Sequence, residues 1–359
     1  MKLEKINPNI AEAKTLDKSF YLSPFYLNLS KEKIFLKSWH FIGDKSQFTQ
    51  KINIVPHTIL ADFLDEPILL SKDGEGKIHC LTNVCNHRGN ILATAPCFQK
   101  NIRCKYHGRL FQLNGKFISM PEFKNVLNFV PENNHLKPLS LFNWGNLFFT
   151  NLMPEKDACV YFKDMQERMS WYPIENLKYD ASKTQTFIIN ANWALYCENY
   201  LEGFHIPFVH PTLNSFIDFS NYTTEIFPYS SLQLGIGKNE KDCFKLPQNC
   251  TDYGKLVAAY YFWVFPNMMF NFYPWGLSIN IIEPLTVDTT RVKFIQFILD
   301  ESKIEKGAGS GLNTVESEDE EIVQNVQKGI KSIFYNHGRY APEREQGTHH
   351  FHSLITHIL

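Results

Sequence analysis

Between Trp39 and about Leu152, short runs of Ile, Val, Leu and Phe alternate with turn residues, which predicts hairpin-connected strands. Lys72-Asp-Gly-Glu-Gly76 and Leu113-Asn-Gly-Lys116 supply the turns, since Asp-Gly and Asn-Gly tolerate the positive φ that tight hairpins need. Ahead of this stretch, residues 1–38 read as an extended arm and a short helix, with Leu29-Ser30 as the start and Ile34, Phe35 and Trp39 near helical spacing. Beyond Pro154 the pattern is mixed. Strands are predicted at 184–191, 260–264, 268–273, 277–282 and 291–299, and residues 303–313, with Gly307-Ala-Gly-Ser-Gly311, read as a flexible surface connection. Ser317 and Glu320 have the form of a capping box. The helix they open carries Ile322, Val323, Val326, Ile330, Ile333 and Phe334 as an apolar stripe. In that phase Asp319 lies in the first turn on the buried side, whereas Glu316 falls before the cap.

The expected fold class is therefore α+β. A small all-β domain spans 39–152, and residues 1–38 and 153–359 form a larger domain with an antiparallel sheet flanked by helices. A length of 359 residues is enough for two cores. The formal net charge of -1 gives no global attraction to nucleic acid or anionic membrane. Residues 256–282 carry no charge, but Pro266, Pro274, Gly276 and three Asn interrupt them. Two aromatic-rich buried strands joined by a turn are expected there, not a membrane span. Met1 to Lys14 lacks the apolar core of a signal peptide, so a cytoplasmic location is expected. Eight scattered cysteines in such a chain favour thiols or metal ligands over disulfides.

Two cysteines stand beside histidines. Cys85-Asn-His87 is followed, after sixteen intervening residues, by Cys104-Lys-Tyr-His107, and each half is followed by a glycine, Gly89 and Gly108. Structural zinc usually takes its cysteines as close pairs. One Cys and one His on each of two loops instead match a Rieske [2Fe–2S] cluster, in which two Cys hold one iron and two His the other. A second group lies in Asn199-Tyr-Leu-Glu-Gly-Phe-His-Ile-Pro-Phe-Val-His210. On a helix Glu202 and His205 would share a face. Pro207 breaks the helix, which lets His205 and His210 turn toward one point, where imidazoles suit Fe, Zn, Cu or Ni. With Asp319 they make the two-His, one-carboxylate set of non-haem Fe(II) oxygenases.

Cys85-Asn-His-Arg-Gly89, Cys104-Lys-Tyr-His-Gly108, the run from Glu198 to His210, and Glu318-Asp319 in the C-terminal helix together resemble the α subunit of Rieske non-haem iron oxygenases. The compact Glu198-Asn-Tyr-Leu-Glu202 run and the tail around Gly338-Arg339 and His349-His-Phe-His352 resemble the choline, carnitine and glycine betaine monooxygenase group of that family. The resemblance implies Cys85, His87, Cys104 and His107 as cluster ligands, and His205, His210 and Asp319 as iron ligands. Asn199 and Glu202 are implied as catalytic positions. Glu202 would link the iron site to His107 of a neighbour in a homotrimer, because in this family the two centres of one subunit lie too far apart. Electrons are expected from a separate flavin and ferredoxin-type reductase, so NAD(P)H acts only indirectly. The expected activity is hydroxylation of a quaternary ammonium compound. The nine aromatics of 260–275 are candidates for a cation cage. Ring dioxygenation of an aromatic compound, or electron transfer without catalysis, are the competing readings.

Overall fold

In the computed structural model, which describes residues 3–359, the chain forms two compact units. One is Trp39–Pro154; the other combines the chain up to Ser38 with Glu155–Leu359.

The smaller unit is built of nine short strands: β1 (Trp39–Asp44), β2 (Ile54–Ile59), β3 (Glu66–Lys72), β4 (Ile78–Thr82), β5 (Ile102–Arg103), β6 (Leu110–Phe111), β7 (Phe117–Ser119), β8 (Ser140–Trp144) and β9 (Leu147–Asn151). They form three antiparallel sheets of three strands, in the orders β1-β9-β8, β2-β3-β4 and β5-β6-β7. Both hairpin turns close as their glycines require, with the N–H of Gly76 donating to the Asp73 carbonyl and that of Gly115 to Gln112. Ile54, Leu69, Leu81, Ile102, Phe111 and Leu136 pack into one apolar cluster directly beneath Cys85 and Cys104.

In the larger unit the N-terminal segment forms α1 (Ser19–Leu22) and α2 (Pro24–Lys33). The latter starts at Pro24, five residues before the expected Leu29-Ser30. Its true N-cap is Ser23, whose side chain accepts from the Phe25 N–H, with Pro24 preset for the first turn. Trp39 lies in β1 and not on the helix. Then follow α3 (Cys159–Arg168), β10 (Lys178–Tyr179), β11 (Gln185–Ile189), α4 (Trp193–Tyr200), α5 (Ile206–Val209), α6 (Pro211–Phe216), β12 (Thr223–Ile226), β13 (Ser230–Ile236), β14 (Val257–Val264), β15 (Met268–Tyr273), β16 (Gly276–Thr286), β17 (Thr289–Ile298), α7 (Leu312–Ile330) and α8 (Gln346–Ile358). The strands expected at 260–264, 268–273 and 277–282 are β14, β15 and β16, one more than the pair expected from the breaks within 256–282.

The strands make an eight-stranded antiparallel sheet, ordered β10-β17-β16-β15-β14-β13-β12, with β11 also pairing to β17. Its register explains why the central strands read as continuously buried. Gln233, Tyr261, Asn271, Ser278 and Gln296 are successive cross-strand partners and make one row across five strands. Their neighbours, such as Phe262, Phe270 and Ile279, form the next row and face away from it, because side chains alternate along a strand. Phe270 meets Phe162 of α3 edge to face. One face is therefore an apolar floor and the other a covered polar surface.

Two expectations about the C-terminal half are overturned. Residues 303–313 are not a solvated linker, because Gly307, Ala308 and Gly309 are buried. A Cβ on Gly309 would lie 2.2 Å from the Trp275 indole nitrogen. Helix α7 begins at Leu312, after Gly311 in a left-handed conformation (φ 62°), with no side-chain cap. The Ser317 capping box does not form. Asp319 is therefore well inside the helix, and Glu316 is helical and buried. The buried face of α7 is Glu316, Val323, Gln327 and Ile330, whereas Ile322, Val326, Ile333 and Phe334 of the expected stripe are exposed. Val323 and Ile330 of that stripe are buried, and Ile333 and Phe334 lie beyond the end of the helix at Ile330.

Both chain ends brace α4. His352 of α8 is fully buried, with Nδ1 2.6 Å from the Tyr340 hydroxyl and Nε2 3.0 Å from Glu198. Tyr21 donates to the same Glu198 carboxylate at 2.7 Å. A Cβ on Gly347 would lie 2.2 Å from the Leu201 carbonyl oxygen, so α8 rests on the backbone just ahead of Glu202. Gly347→Ala should cost about 1–3 kcal/mol by overpacking. Thermal denaturation should register this as a lower melting temperature, and an unchanged melt would show that α8 shifts at no cost.

Candidate metal centres

The Cys/His loops are built alike. Each cysteine carbonyl accepts from the glycine four residues on, Gly89 to Cys85 at 2.9 Å and Gly108 to Cys104 at 3.0 Å, and both glycines have φ of 72°. That conformation excludes most side chains, which is why Gly follows each pair. The Cys85 N–H donates to Asn90 and the Cys104 N–H to Arg109, both at 2.8 Å, closing the two loops. The His87 and His107 rings lie 4.9 Å apart, nearly perpendicular. Burial raises the Cys85 thiol. Burial also acts to raise Cys104, but the N–H groups of Tyr106 and His107, together with Cys85 and Asn90, leave this thiol below its ordinary value. Asn90 adds a contact of 3.6 Å to the same sulfur.

Two features fit a cluster here. The Nδ1 of His107 is buried with no hydrogen-bond partner in the chain, an orphaned group that a metal ligand would satisfy. Two thiolates and two imidazoles, one of each on either loop, suit two irons, one held by the thiolates and one by the imidazoles.

The second centre lies at the end of α4. This helix is capped by Asn192, whose side chain accepts from the Ala194 N–H at 3.0 Å, and it stops at Leu201. The break therefore precedes Pro207, and Glu202 and His205 do not share a helix face as expected. They lie in the turn before α5, where the Glu202 carboxylate accepts from the Phe204 and His205 N–H groups and from His205 Nδ1 at 2.7 Å. His210, at the junction of α5 and α6, is buried. Its Nδ1 lies 2.7 Å from Glu318, and its Nε2 3.0 Å from Asp319 Oδ1. The His205 Nε2 is 3.6 Å from the same oxygen. A carboxylate thus holds the Nδ1 of each imidazole and turns both Nε2 atoms toward Asp319, the arrangement that orients metal-binding histidines.

Helices α4 and α7 meet here through two pairs with matching i, i+3 spacing. Asn199 donates to Asp319 Oδ1 at 2.6 Å, and the Tyr196 hydroxyl lies 2.7 Å from both oxygens of Glu316. Burial holds the Glu316 carboxyl well above the usual carboxylate range, with the Tyr196 bond opposing it. Tyr196 has no signal in the sequence beyond standing three before Asn199. Glu316 is set aside there as falling before the cap, and Glu318 enters only as the neighbour of Asp319.

Above the centre is a cavity of about 100 Å³. Tyr196, Tyr200, Tyr222, Tyr261, Tyr273 and Phe294 supply its rings, the row from Gln233 to Ser278 its amides and hydroxyl, and Glu202, Glu316 and Asp319 its carboxyl groups. No Lys or Arg is among its described lining residues. Of the nine aromatics in 260–275, only Tyr261 and Tyr273 reach it; the rest are core, and Trp275 stacks on Tyr273 at 5.3 Å.

Comparison with known proteins assigns both domains. Residues 38–131 match the Rieske [2Fe-2S] domain, and residues 168–359, more than half of the chain, match the ring hydroxylating alpha subunit (catalytic domain). The chain belongs to that family. It is thus a Rieske non-haem iron oxygenase, with a [2Fe–2S] domain and an iron-dependent catalytic domain. The chain is 29% identical to a chloroplastic choline monooxygenase of Arabidopsis thaliana, across 98% of this chain and 84% of that protein. With the carnitine monooxygenase oxygenase subunit of Acinetobacter pittii the identity is 28%, across 97% and 95%. The fold is that of the quaternary ammonium Rieske monooxygenase CntA (TM-score 0.80, 23% identity, 99% of both chains) and of naphthalene 1,2-dioxygenase from Rhodococcus sp. (TM-score 0.73, 17%, 96% and 93%). No helix among the described residues is long and apolar enough to cross a membrane.

With Glu318 holding His210, Glu318→Ala should weaken mononuclear metal binding by about 10–100-fold while leaving the cluster in place. Iron titration of the metal-depleted protein with the cluster monitored by its visible absorption checks this, and unaltered iron affinity would make Glu318 incidental.

Proposed function

We propose that this oxygenase hydroxylates a small quaternary ammonium compound, and that its preferred substrate is a choline-like cation without a carboxylate. The observation that carries this reading is the cavity over His205, His210 and Asp319, which combines six aromatic rings and three acidic side chains with no Lys or Arg. Aromatic faces attract a desolvated cation. A substrate carboxylate would lose its water with no cation to meet it and would approach Glu202 and Asp319, a cost that disfavours betaines. The names of the relatives, choline and carnitine monooxygenases, support the broader class.

In this proposal Cys85, His87, Cys104 and His107 hold the [2Fe–2S] cluster, and His205, His210 and Asp319 hold the iron. When bound, these groups deliver single electrons and activate O2 for insertion into a C–H bond. The protein's part is positioning. Asn199 fixes one oxygen of Asp319, and Glu202 and Glu318 keep both imidazoles in the tautomer that presents Nε2. The tyrosine walls exclude water and set the cation so that its neighbouring carbon faces the iron. For an alcohol substrate the overall reaction takes O2, two electrons and two protons, and yields a geminal diol and water; the diol then loses water to give an aldehyde. The electrons come from a separate flavin and ferredoxin-type reductase fed by NAD(P)H.

Glu202 is the proposed link between centres in a homotrimer, accepting a bond from His107 of a neighbouring copy. A carboxylate has about four acceptor sites, and the two histidine bonds and the Phe204 N–H take three of them. One remains. Phe204 and Phe208 beside it are 42% and 80% exposed, as is Tyr106 (55%), whose ring lies 3.7 Å from that of His107. Such exposed rings suit a surface covered by another copy. The fold neighbour CntA is described as using inter-subunit electron transfer.

Two experiments test these assignments. Oxygen uptake by the holoenzyme with a reductase of that class should be at least about tenfold faster with choline than with carnitine, glycine betaine or naphthalene, given the cost of an unpaired buried carboxylate. Preference for naphthalene would overturn the quaternary ammonium reading, and preference for carnitine its charge argument. Glu202→Gln should keep both metals and a reducible cluster while lowering turnover by about 10–100-fold; normal turnover would remove the linking role.

A further inference from the structure

Arg109 is an unusual residue to find where it lies. Its side chain is among the most completely buried in the molecule, at 2% exposure. A guanidinium keeps its proton at any ordinary pH, and a buried charge normally has an ionic partner. Among the described residues no carboxylate pairs with it. Its polar contacts are all neutral: the side-chain oxygen of Asn134 at 2.6 Å and the sulfur of Met120 at 3.9 Å, while its Nε has no partner. Around it stand Phe117 at 4.8 Å, Phe111 at 5.7 Å and Phe129 at 5.8 Å from guanidinium carbon to ring centroid. An aromatic cage eases the loss of water but supplies no counter-charge.

The anion is next door. Arg109 immediately follows the Cys104–Gly108 loop, its carbonyl accepts from the Cys104 N–H, and Phe111 and Phe117 pack into the same core cluster as Cys85 and Cys104. Its charge acts on both sulfurs. Two ferric ions, two sulfides, two thiolates and two neutral imidazoles sum to zero charge, so an oxidised cluster leaves the guanidinium uncompensated. One electron from the reductase turns one ferric ion ferrous and gives the cluster one negative charge. No bond breaks, and the buried pair is then neutral.

We propose that Arg109 is a positioning residue for electrons: its fixed, caged charge stabilises the reduced cluster and raises its reduction potential. Asn134 holds the guanidinium through an interaction that does not neutralise it. The inference rests on the Rieske assignment and not on the choice of substrate.

The test is a redox titration of purified holoenzyme, followed by visible absorption and electron paramagnetic resonance, with iron and acid-labile sulfide measured on each variant. Arg109→Met keeps the bulk and removes the charge. It should hold a full cluster whose ratio of reduced to oxidised forms at a fixed poise falls at least about tenfold, equivalent to about 59 mV for one electron. Asn134→Asp keeps Arg109 and neutralises it in place, so it should shift the potential in the same direction. Arg109→Lys retains the charge and should lie nearer the parent. A full cluster at the parent potential in either charge-removing variant would overturn the proposal. Failure of both to hold a cluster would do so as well, by making Arg109 a folding element. Absence of iron and sulfide from the parent protein would instead remove the Rieske reading beneath it.

Discussion

Buried carboxyl groups that must be hydrogen-bonded are the constraint on which the catalytic unit depends. Glu316 and Asp319 project from α7 into a cavity with little water, and each needs a donor. Tyr196 and Asn199 of α4 provide them at the same three-residue spacing. This double contact ties the helix carrying the acids to the helix leading into His205 and His210. Other elements keep α4 where the contact requires it. Gln327 accepts from the Asn192 N–H at 2.8 Å, and Tyr21 and His352 converge on Glu198. Residues scattered from the N-terminal segment to the last helix therefore serve one set of hydrogen bonds.

The same constraint takes a different form in the smaller unit. There the polar groups to be satisfied are backbone N–H groups turned toward sulfur and an imidazole nitrogen with no partner in the chain. Two glycines at positive φ make this possible by tightening both loops in the same way. The apolar cluster beneath keeps water from one side of the cysteines. A single positive charge buried beside such a centre acts over a short, poorly screened path, unlike a surface lysine.

The large sheet shows how one element serves stability and chemistry together. Because successive residues point to opposite faces, β13 to β17 bury an apolar row against α3 and offer a row of amides, a hydroxyl and tyrosines to the cavity. Neither row could shift by one residue without exchanging the two. The polar row belongs to the site, and the apolar row holds it in register.

The two Cys/His half-motifs, the H-x4-H pair and the family likeness were legible in the sequence because each is local, with its ligand types separated by few residues. The hairpin turns and central strands were legible for the same reason. The start of α7 was not: the Ser317 box is a plausible local signal, but Gly311 and the packing of the segment before it decide where the helix begins. Glu318 and Glu316 were likewise hidden in an acidic run, since only the meeting of α7 with α4 and His210 distinguishes one carboxylate from the next. The aromatic cage was sought in one run, yet it draws its rings from a helix, a loop and three strands. The candidate Cys and His ligands stand in local motifs along the chain; the approach of Asp319, the second contacts, the cavity walls and the burial of Arg109 came from tertiary packing, which joins residues more than a hundred positions apart through interactions that no local pattern records.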